Sequence, residues 1–373
     1  MDYFATVARG LESVASQELE QLGAENVRAD FAGVYFSGDR SLLYKVNLWA
    51  RTLFRVLVPI QKFFCPDADR LYSAIQQVDW EDYLTPEMTL AVDCTGSNSQ
   101  LNHTHFTALQ VKNAIIDQQR QRLSERSSVD PRNPDLLINL HIYRDQGFLS
   151  LDSSGTSLHR RGYRPAMGQA PLKETLAAAL LEIAEWHPGL AFLDPMCGSG
   201  TLPLEASLKA LNVAPGLFRE RYGFMNWKDF DAELWQQLCD QAEAEQGWEL
   251  PTVIMGCDRD PKVLDQARHN AAQCGVADQI QLIQRQINQL EPPTDRGIII
   301  CNPPYGERLG DVQRLGGLYK SLGDIFKQRF KGWTAFILTG NKALAKQVGL
   351  RTASRTPVYN GGLQCTFLKY ELY

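Results

Sequence analysis

The sequence predicts an α/β protein in which a doubly wound, mostly parallel sheet follows two smaller α+β units. From residue 171 onward, apolar runs of strand length alternate with stretches of helical length, a pattern typical of a parallel sheet with helices on both faces. Before residue 156, strands and helices are mixed without strict alternation, which favours antiparallel α+β domains. Between them, the basic stretch TSLHRRGYRPAMGQA at 156–170 predicts a linker.

We therefore expect four segments: an α+β domain at 1–60, a second at 61–155, the linker at 156–170 and the α/β domain at 171–373. RGLESVASQELEQLG predicts the first amphipathic helix. In the second domain, FTALQVKNAIIDQQRQRL predicts a long helix. Its inward residues would be Leu109, Val111, Ala114, Ile115 and Leu123, and its outward residues Lys112, Arg120, Arg122 and Arg126.

Bulk composition excludes several classes of protein. The chain has 373 residues, is 44% hydrophobic and 22% charged, and carries a net charge of −5, so a nucleic-acid surface would have to be local. The N-terminus has no signal-peptide pattern and no apolar run is long enough to span a membrane, which predicts a cytoplasmic protein. The eight cysteines form no CxxC pair, which favours reduced thiols and predicts no metal site.

A glycine turn follows the first predicted strand of the α/β domain. FLDPMCGSGT at 192–201 joins an acid, Asp194, to a Gly-x-Gly turn that opens a helix. Glycine lets a backbone approach a ligand closely, although a tight strand-to-helix turn also uses it. The stretch is neither a G-x-G-x-x-G fingerprint nor a Walker loop, so the ligand it suggests has no phosphate.

A second acid, Asp258, ends the next predicted strand, in MGCDRDP. At such a position a carboxylate can accept hydrogen bonds from both ribose hydroxyls of a nucleoside. Its alternative role, capping the helix that starts at Pro261, fits Asp260 better.

The third motif, CNPPYGERLG at 301–310, follows the apolar run GIII. Two prolines can simply end a strand. They can also fix a rigid claw, in which the Asn302 side chain and the Pro303 carbonyl accept both N–H bonds of an exocyclic amine and Tyr305 stacks on its ring. Because the carboxyl ends of parallel strands meet at one edge, the three motifs together predict a nucleoside cofactor beside an amino-bearing substrate.

These motifs resemble those of class I S-adenosylmethionine-dependent methyltransferases that act on exocyclic amines. The wider pattern of LHRRGYR, APLKETLAAALL, DPMCGSGTLPLEA and CNPPYGERLG resembles the THUMP-domain RNA methyltransferases, and within them the bacterial 23S rRNA guanine-N2 enzymes. The resemblance covers nearly the whole chain and implies a Rossmann-like methyltransferase domain preceded by ferredoxin-like and THUMP domains.

The resemblance also implies roles for individual residues. Thr175 would stand near the methionine carboxylate of S-adenosylmethionine, Asp258 would bind the ribose, and Gln286 replaces the usual acid at the adenine amine. The remaining cofactor-binding positions would be Asp194, Pro195, Cys197, Gly198, Ser199, Gly200, Thr201, Arg259 and Asn302. The catalytic claw would be Asn302, Pro303, Pro304 and Tyr305.

An RNA partner would need local cations. Lys112 and Arg120 on the long helix, with Arg160, Arg161 and Arg164 of the acid-free linker, form the expected RNA-binding set. A solvated connector is the alternative role of this linker.

Rival functions remain open at this stage. Guanine N2 in 23S rRNA is favoured over guanine N2 in tRNA. It is also favoured over a protein glutamine amide and over adenine N6 in DNA, because enzymes that act on protein or DNA would not need an RNA-binding N-terminal half. A non-catalytic RNA-binding protein is disfavoured because the cofactor and claw motifs are intact. A THUMP-type thiolation enzyme is disfavoured because the sequence has no SGGxDS loop.

Overall fold

The computed structural model describes residues 1–164, 172–306 and 311–373 and contains two sheets within those ranges. The first sheet and its helices occupy the N-terminal half. Their bounds are β1 (Asp2–Val7), α1 (Glu12–Gln21), β2 (Glu25–Asp30), β3 (Gly33–Ser37), α2 (Arg40–Trp49), β4 (Leu53–Phe64), α3 (Ala68–Gln76), β5 (Thr89–Ser97), α4 (Thr104–Leu123), β6 (Ser128–Val129), β7 (Leu136–Tyr143) and β8 (Gln146–Asp152).

The first sheet runs continuously through both N-terminal units, in the order β2-β3-β1-β4-β8-β7-β5-β6. Strand β4 pairs with β1 on one side and with β8 on the other, both antiparallel. The boundary expected after residue 60 therefore falls inside a strand. Pro59 lies within β4, where the register shifts between Pro59 and Gln61, and such a bulge tolerates a residue that lacks an N–H donor.

The second sheet occupies the C-terminal half. Its elements are α5 (Glu174–Ile183), β9 (Ala191–Asp194), α6 (Thr201–Ala210), α7 (Ala232–Ala244), β10 (Ile254–Asp258), α8 (Pro261–Gln273), β11 (Gln281–Gln284), β12 (Gly297–Cys301), α9 (Asp311–Arg329), β13 (Thr334–Thr339), α10 (Lys342–Gln347), β14 (Ser354–Asn360) and β15 (Leu363–Glu371).

The strand order β11-β10-β9-β12-β13-β15-β14 is that of a class I methyltransferase-like sheet, with the first five strands parallel. Strand β15 is antiparallel to both β13 and β14. It follows that β14 runs in the same direction as β13 and ends at the same edge of the sheet. Apolar clusters cover both faces, which confirms the predicted α/β class.

The core of the ferredoxin-like unit is continuous with that of the second sheet. Tyr3 and Leu43 belong to the same buried cluster as Leu176 and Phe192, and Leu158 and Tyr163 of the expected linker lie within it. The described part of the linker is therefore an interface between domains rather than a solvated connector.

Helix α4 differs from expectation at its ends. Val111, Ala114 and Ile115 are buried, as predicted, whereas Leu109 and Leu123, which were predicted to face inward, are 40% and 36% exposed. Within the described ranges, no helix combines the length and the apolar character that crossing a bilayer requires.

Candidate methyl-transfer site

Three neighbouring parallel strands bring the predicted motifs to one edge of the second sheet. Strand β9 lies between β10 and β12, with Leu193 level with Met255 on one side and with Ile299 on the other. The chain segments that follow Asp194, Asp258 and Cys301 therefore emerge side by side. Ligands of open α/β sheets bind at this carboxyl edge.

The turn from β9 into α6 is shaped by two glycines. Gly198 and Gly200 have φ values of +55° and +89°, a region that side chains with a Cβ disfavour. The N–H of Cys197 donates to the Cys257 carbonyl at 2.8 Å, which ties the turn to β10. A Cβ on Gly198 would meet only Val263 at 3.9 Å, so the strain lies in the backbone and the space beside it is open.

Asp194 is a buried carboxylate without a cationic partner among the described residues. It is 2% exposed, and its Oδ1 accepts a hydrogen bond from the N–H of Met196 at 3.0 Å. Burial, with a smaller contribution from the charge of Asp258, raises the pKa of Asp194 well above its usual range. A bound cation would favour the ionised form and offset this cost of burial.

Asp258 links the glycine turn to the end of β10. Its Oδ2 accepts from the N–H of Gly198 at 3.1 Å and its Oδ1 accepts from the N–H of Asp260 at 3.0 Å. Asp260 caps α8, because its side chain accepts from the N–H of Lys262. The prediction that Asp260, rather than Asp258, is the helix cap is confirmed.

Asn302 to Tyr305 follow β12 and form a braced loop. The Tyr305 hydroxyl donates a hydrogen bond to Asn302 Oδ1, and burial raises the pKa of Tyr305. Among the described residues, none donates to the carbonyl of Pro303, which leaves that acceptor open. In this structure the Tyr305 hydroxyl is hydrogen-bonded to Asn302. The stacking of Tyr305 on a substrate base remains a prediction.

Two residues that hold this loop were missed in the sequence. The Tyr319 hydroxyl donates to the carbonyl of Pro304 at 3.2 Å, and Asn341 Nδ2 donates to the carbonyl of Tyr305 at 3.1 Å. Asn341 follows the end of β13, so a polar residue just past that strand was the available signal. Tyr319 lies inside α9, where an aromatic residue predicts only a core position.

The remaining predicted cofactor-binding residues lie around the glycine turn, after β10 and in the first turn of α5. Pro195 and Ser199 lie in the glycine turn, and Thr201 is the first residue of α6. Arg259 follows Asp258, and its side chain is exposed. Thr175, in the first turn of α5, is 1% exposed, and its hydroxyl has no hydrogen-bond partner among the described residues.

The assignment of Gln286 to the adenine amine remains a prediction. Its side chain accepts from the N–H of Gln289, and the Gln289 side chain accepts from the N–H of Gln286 at 3.1 Å, so the pair closes a capping box. The exposed Gln286 amide oxygen has a second lone pair, which can still accept from an adenine amine.

Arg161 and Arg164 are corrections to the expected RNA-binding set, because both are buried. Arg161 is 1% exposed, donates to the carbonyls of Ala50 and Leu158, and pairs with Glu205. Arg164 pairs with Glu174 at 2.8 Å. The linker contains no acid of its own, but acids of neighbouring helices meet these two guanidinium groups and remove them from any RNA surface.

The other expected RNA-binding cations remain accessible. Lys112 and the exposed Arg160 line one groove of about 980 Å³ between α4 and the residues around 218–226. Arg120 lies on the same helix and pairs with Asp117 at 3.6 Å; it is not part of the groove lining.

Comparisons with known proteins define the class of this fold and site. This chain matches the crystal structure of SMU.472, a putative methyltransferase complexed with SAH, with a TM-score of 0.90 and 30% sequence identity. The match covers 100% of this chain and 98% of the SMU.472 chain. SAH, S-adenosylhomocysteine, is what S-adenosylmethionine becomes after it gives up its methyl group. The second sheet is thus a Rossmann-like methyltransferase domain.

Curated relatives extend the comparison. The chain is 56% identical to a Synechocystis protein named "Putative RNA methyltransferase slr0064", over 97% of that protein. It is 43% identical to the ribosomal RNA large subunit methyltransferase K/L of Syntrophotalea carbinolica, of which it spans 53%. The chain therefore spans about half the length of the K/L enzymes it matches.

Family comparisons assign each part of the chain. Residues 161–369 match the family described as RMKL-like, methyltransferase domain; residues 65–152 match the THUMP domain; and residues 2–57 match the RlmL ferredoxin-like domain. The chain belongs to the RMKL-like methyltransferase family, as its motifs predict.

Proposed function

We propose that this protein transfers a methyl group from S-adenosylmethionine to an exocyclic amine of an RNA base, guanine N2 in 23S rRNA, in the cytoplasm. The observation that carries the proposal is the position of Asn302 and Pro303, which follow β12 directly beside the Asp194 turn on β9. The proposed amine claw thereby adjoins the residues predicted to bind the cofactor. The names of the K/L relatives support rRNA as the substrate.

The chemistry of the site fits this cofactor. S-adenosylmethionine supplies an activated methyl group on a positively charged sulfur, together with an ammonium, a carboxylate and a ribose. The buried carboxylate of Asp194 suits the positive charges. The unpartnered Thr175 hydroxyl, in the first turn of α5, suits the carboxylate, because helix N-termini favour anions. Asp258 lies 60 residues after Gly198 and accepts a hydrogen bond from its N–H. At this position the carboxylate can also accept from a ribose hydroxyl.

Asp258 is expected to contribute to cofactor affinity. We expect Asp258→Ala to weaken S-adenosylmethionine binding at least tenfold in calorimetry, on the order of 1.4 kcal/mol. Asp260→Ala is the matched control: it removes the cap of α8, at a cost of about 1 kcal/mol in stability, and leaves cofactor affinity close to that of the unmodified protein. Unchanged affinity in Asp258→Ala would place the ribose elsewhere.

The claw addresses the weak nucleophilicity of the amine. The lone pair of the guanine amine is delocalised into the ring, so it must be turned toward the methyl group. Asn302 Oδ1 and the Pro303 carbonyl can accept its two N–H bonds and fix that orientation, after Tyr305 releases Asn302. Orientation of this kind is worth several kcal/mol and needs no strong general base. The target base must leave its stack to reach this edge.

The groove beside α4 supports an RNA substrate. Its accessible cations include Lys112, Arg132, Arg160 and Arg221, against the acids Asp93 and Glu220. Nearby cations and burial also lower the pKa of His159 to about 4, with burial the larger cause, so this lining residue is neutral at pH 7. A cationic groove on a protein of net charge −5 is a local footprint for the phosphate backbone.

The groove cations are expected to govern the salt dependence of RNA binding. The double variant Lys112→Gln/Arg160→Gln should bind RNA more weakly, and the slope of log affinity against log salt should flatten by roughly 1.4, about 0.7 for each single-strand phosphate contact. Arg120→Gln, on the same helix but outside the groove, is the control. An unchanged slope in the double variant would mean that RNA does not follow this groove.

Methyl transfer can be tested directly on purified protein. Tritium from labelled S-adenosylmethionine should enter an unmodified 23S rRNA transcript, and it should not enter tRNA, duplex DNA or a mixture of release factors and ribosomal proteins. Label in DNA or protein would favour the rival substrates. Tight RNA binding with no transfer to any of these acceptors would favour a binding protein without activity.

A further inference from the structure

An exposed arginine lies between two aromatic rings where the ferredoxin-like domain meets the methyltransferase domain. The guanidinium carbon of Arg9 is 4.9 Å from the ring centroid of Phe31 and 4.7 Å from that of Tyr359. Phe31 is 72% exposed. Within the described residues, the Arg9 guanidinium takes part in these ring contacts and in no ion pair or hydrogen bond, so its donors face solvent.

The protein holds this cluster in place. Glu12 binds two loops at once, because its carboxylate accepts from the N–H of Gly10 at 2.8 Å and from the N–H of Ala32 at 3.1 Å. These loops carry Arg9 and Phe31. Gly10, with φ +84°, approaches strand β14 so closely that a Cβ would lie 2.8 Å from the Pro357 carbonyl oxygen.

The cluster lies at the same edge as the methyl-transfer site. Thr339 at the end of β13 is level with Thr366, which is level with Pro357 of β14. Tyr359 therefore projects beyond the ends of the parallel strands, on the ligand side. Three strand spacings separate β14 from β12, about 14 Å in all.

We propose that Arg9, Phe31 and Tyr359 bind an unpaired RNA base that neighbours the methylated one on the same strand. This inference rests on the proposed function and adds a role for the ferredoxin-like domain beside the reacting base. Unpaired bases stack on aromatic rings and on guanidinium planes. A base that has left its helix exposes its neighbour, and the open donors of Arg9 suit the intervening phosphate.

The test compares binding and turnover of variants on an unmodified 23S rRNA transcript. Phe31→Ala should weaken RNA binding by about tenfold in filter-binding assays, because it removes the stacking of a base on one aromatic ring. KM for RNA should rise by a similar factor. Phe31→Trp should retain affinity, whereas Phe31→Leu should lose as much as Phe31→Ala. SAH affinity and the thermal melt should not change. Trp248→Ala is the control, since Trp248 is 90% exposed and lies outside the cluster.

RNA binding is measured without turnover, so the outcomes separate. Normal RNA affinity and KM in both Phe31→Ala and Arg9→Ala would overturn the cluster's role while leaving methyl transfer intact. A change in oligomeric state with normal RNA binding would overturn it in favour of a protein contact. Absence of transfer by the unmodified protein to any acceptor would instead contradict the proposed function.

Discussion

Replacing Asn302 with alanine should lower the rate of methyl transfer by about two orders of magnitude or more, which corresponds to roughly 2.7 kcal/mol of barrier. The substitution removes one of two acceptors that orient the amine and leaves the Pro303 carbonyl in place. Cofactor affinity should change far less, because Asn302 follows β12, whereas the glycine turn follows β9 and Asp258 is the last residue of β10. Single-turnover methylation of RNA, with calorimetry of SAH binding, measures both.

The alternative for this stretch is a plain strand terminator, and the same variant separates the two. Asn302 is partly exposed, and its side chain accepts a hydrogen bond from Tyr305, so its loss should hardly affect the melting temperature. Asn302→Asp retains an acceptor and should recover part of the rate. Full activity in Asn302→Ala combined with a lowered melting temperature would contradict the claw.

Arg161→Gln should destabilise the fold by about 3 kcal/mol or more in urea unfolding. Both members of the Arg161–Glu205 pair are buried, and loss of one partner leaves an uncompensated charge in the interior. The variant also removes the donor to the Ala50 carbonyl, which joins the linker to the ferredoxin-like domain, and the donor to the Leu158 carbonyl within the linker.

Two further variants make this result specific. Arg160→Gln, at the exposed neighbouring position, should leave stability unchanged. The double variant Arg161→Gln/Glu205→Gln removes both charges and keeps an acceptor for the Tyr163 hydroxyl, so it should regain part of the lost stability. If Arg161→Gln unfolds like the unmodified protein, or if its only effect is on RNA affinity, the linker arginine is an RNA contact after all.

The motifs at strand ends were the most predictable part of this molecule. Asp194, Asp258 and Asn302 each follow an apolar run, and parallel strands must bring their carboxyl ends to one edge. The fold class followed from the same alternation. The local sequence pattern is sufficient to place these residues, because the end of each predicted strand locates the polar residue that ends or follows it.

Predictions that depended on distant partners were the least secure. Arg161 and Arg164 lie in an acid-free stretch, yet Glu205 and Glu174 reach them from other elements. The cluster of Arg9, Phe31 and Tyr359 joins residues about 350 positions apart, which no local pattern reports.

Mass analysis of nucleosides from cells that lack this protein tests the central claim most directly. Digests of 23S rRNA should lose N2-methylguanosine at one position, and a copy of the gene should restore it, whereas the Asn302→Ala copy should restore little. The tRNA digests should not change. An unaltered N2-methylguanosine content in 23S rRNA, or the loss of a methylated adenosine or of a tRNA modification instead, would contradict the proposal.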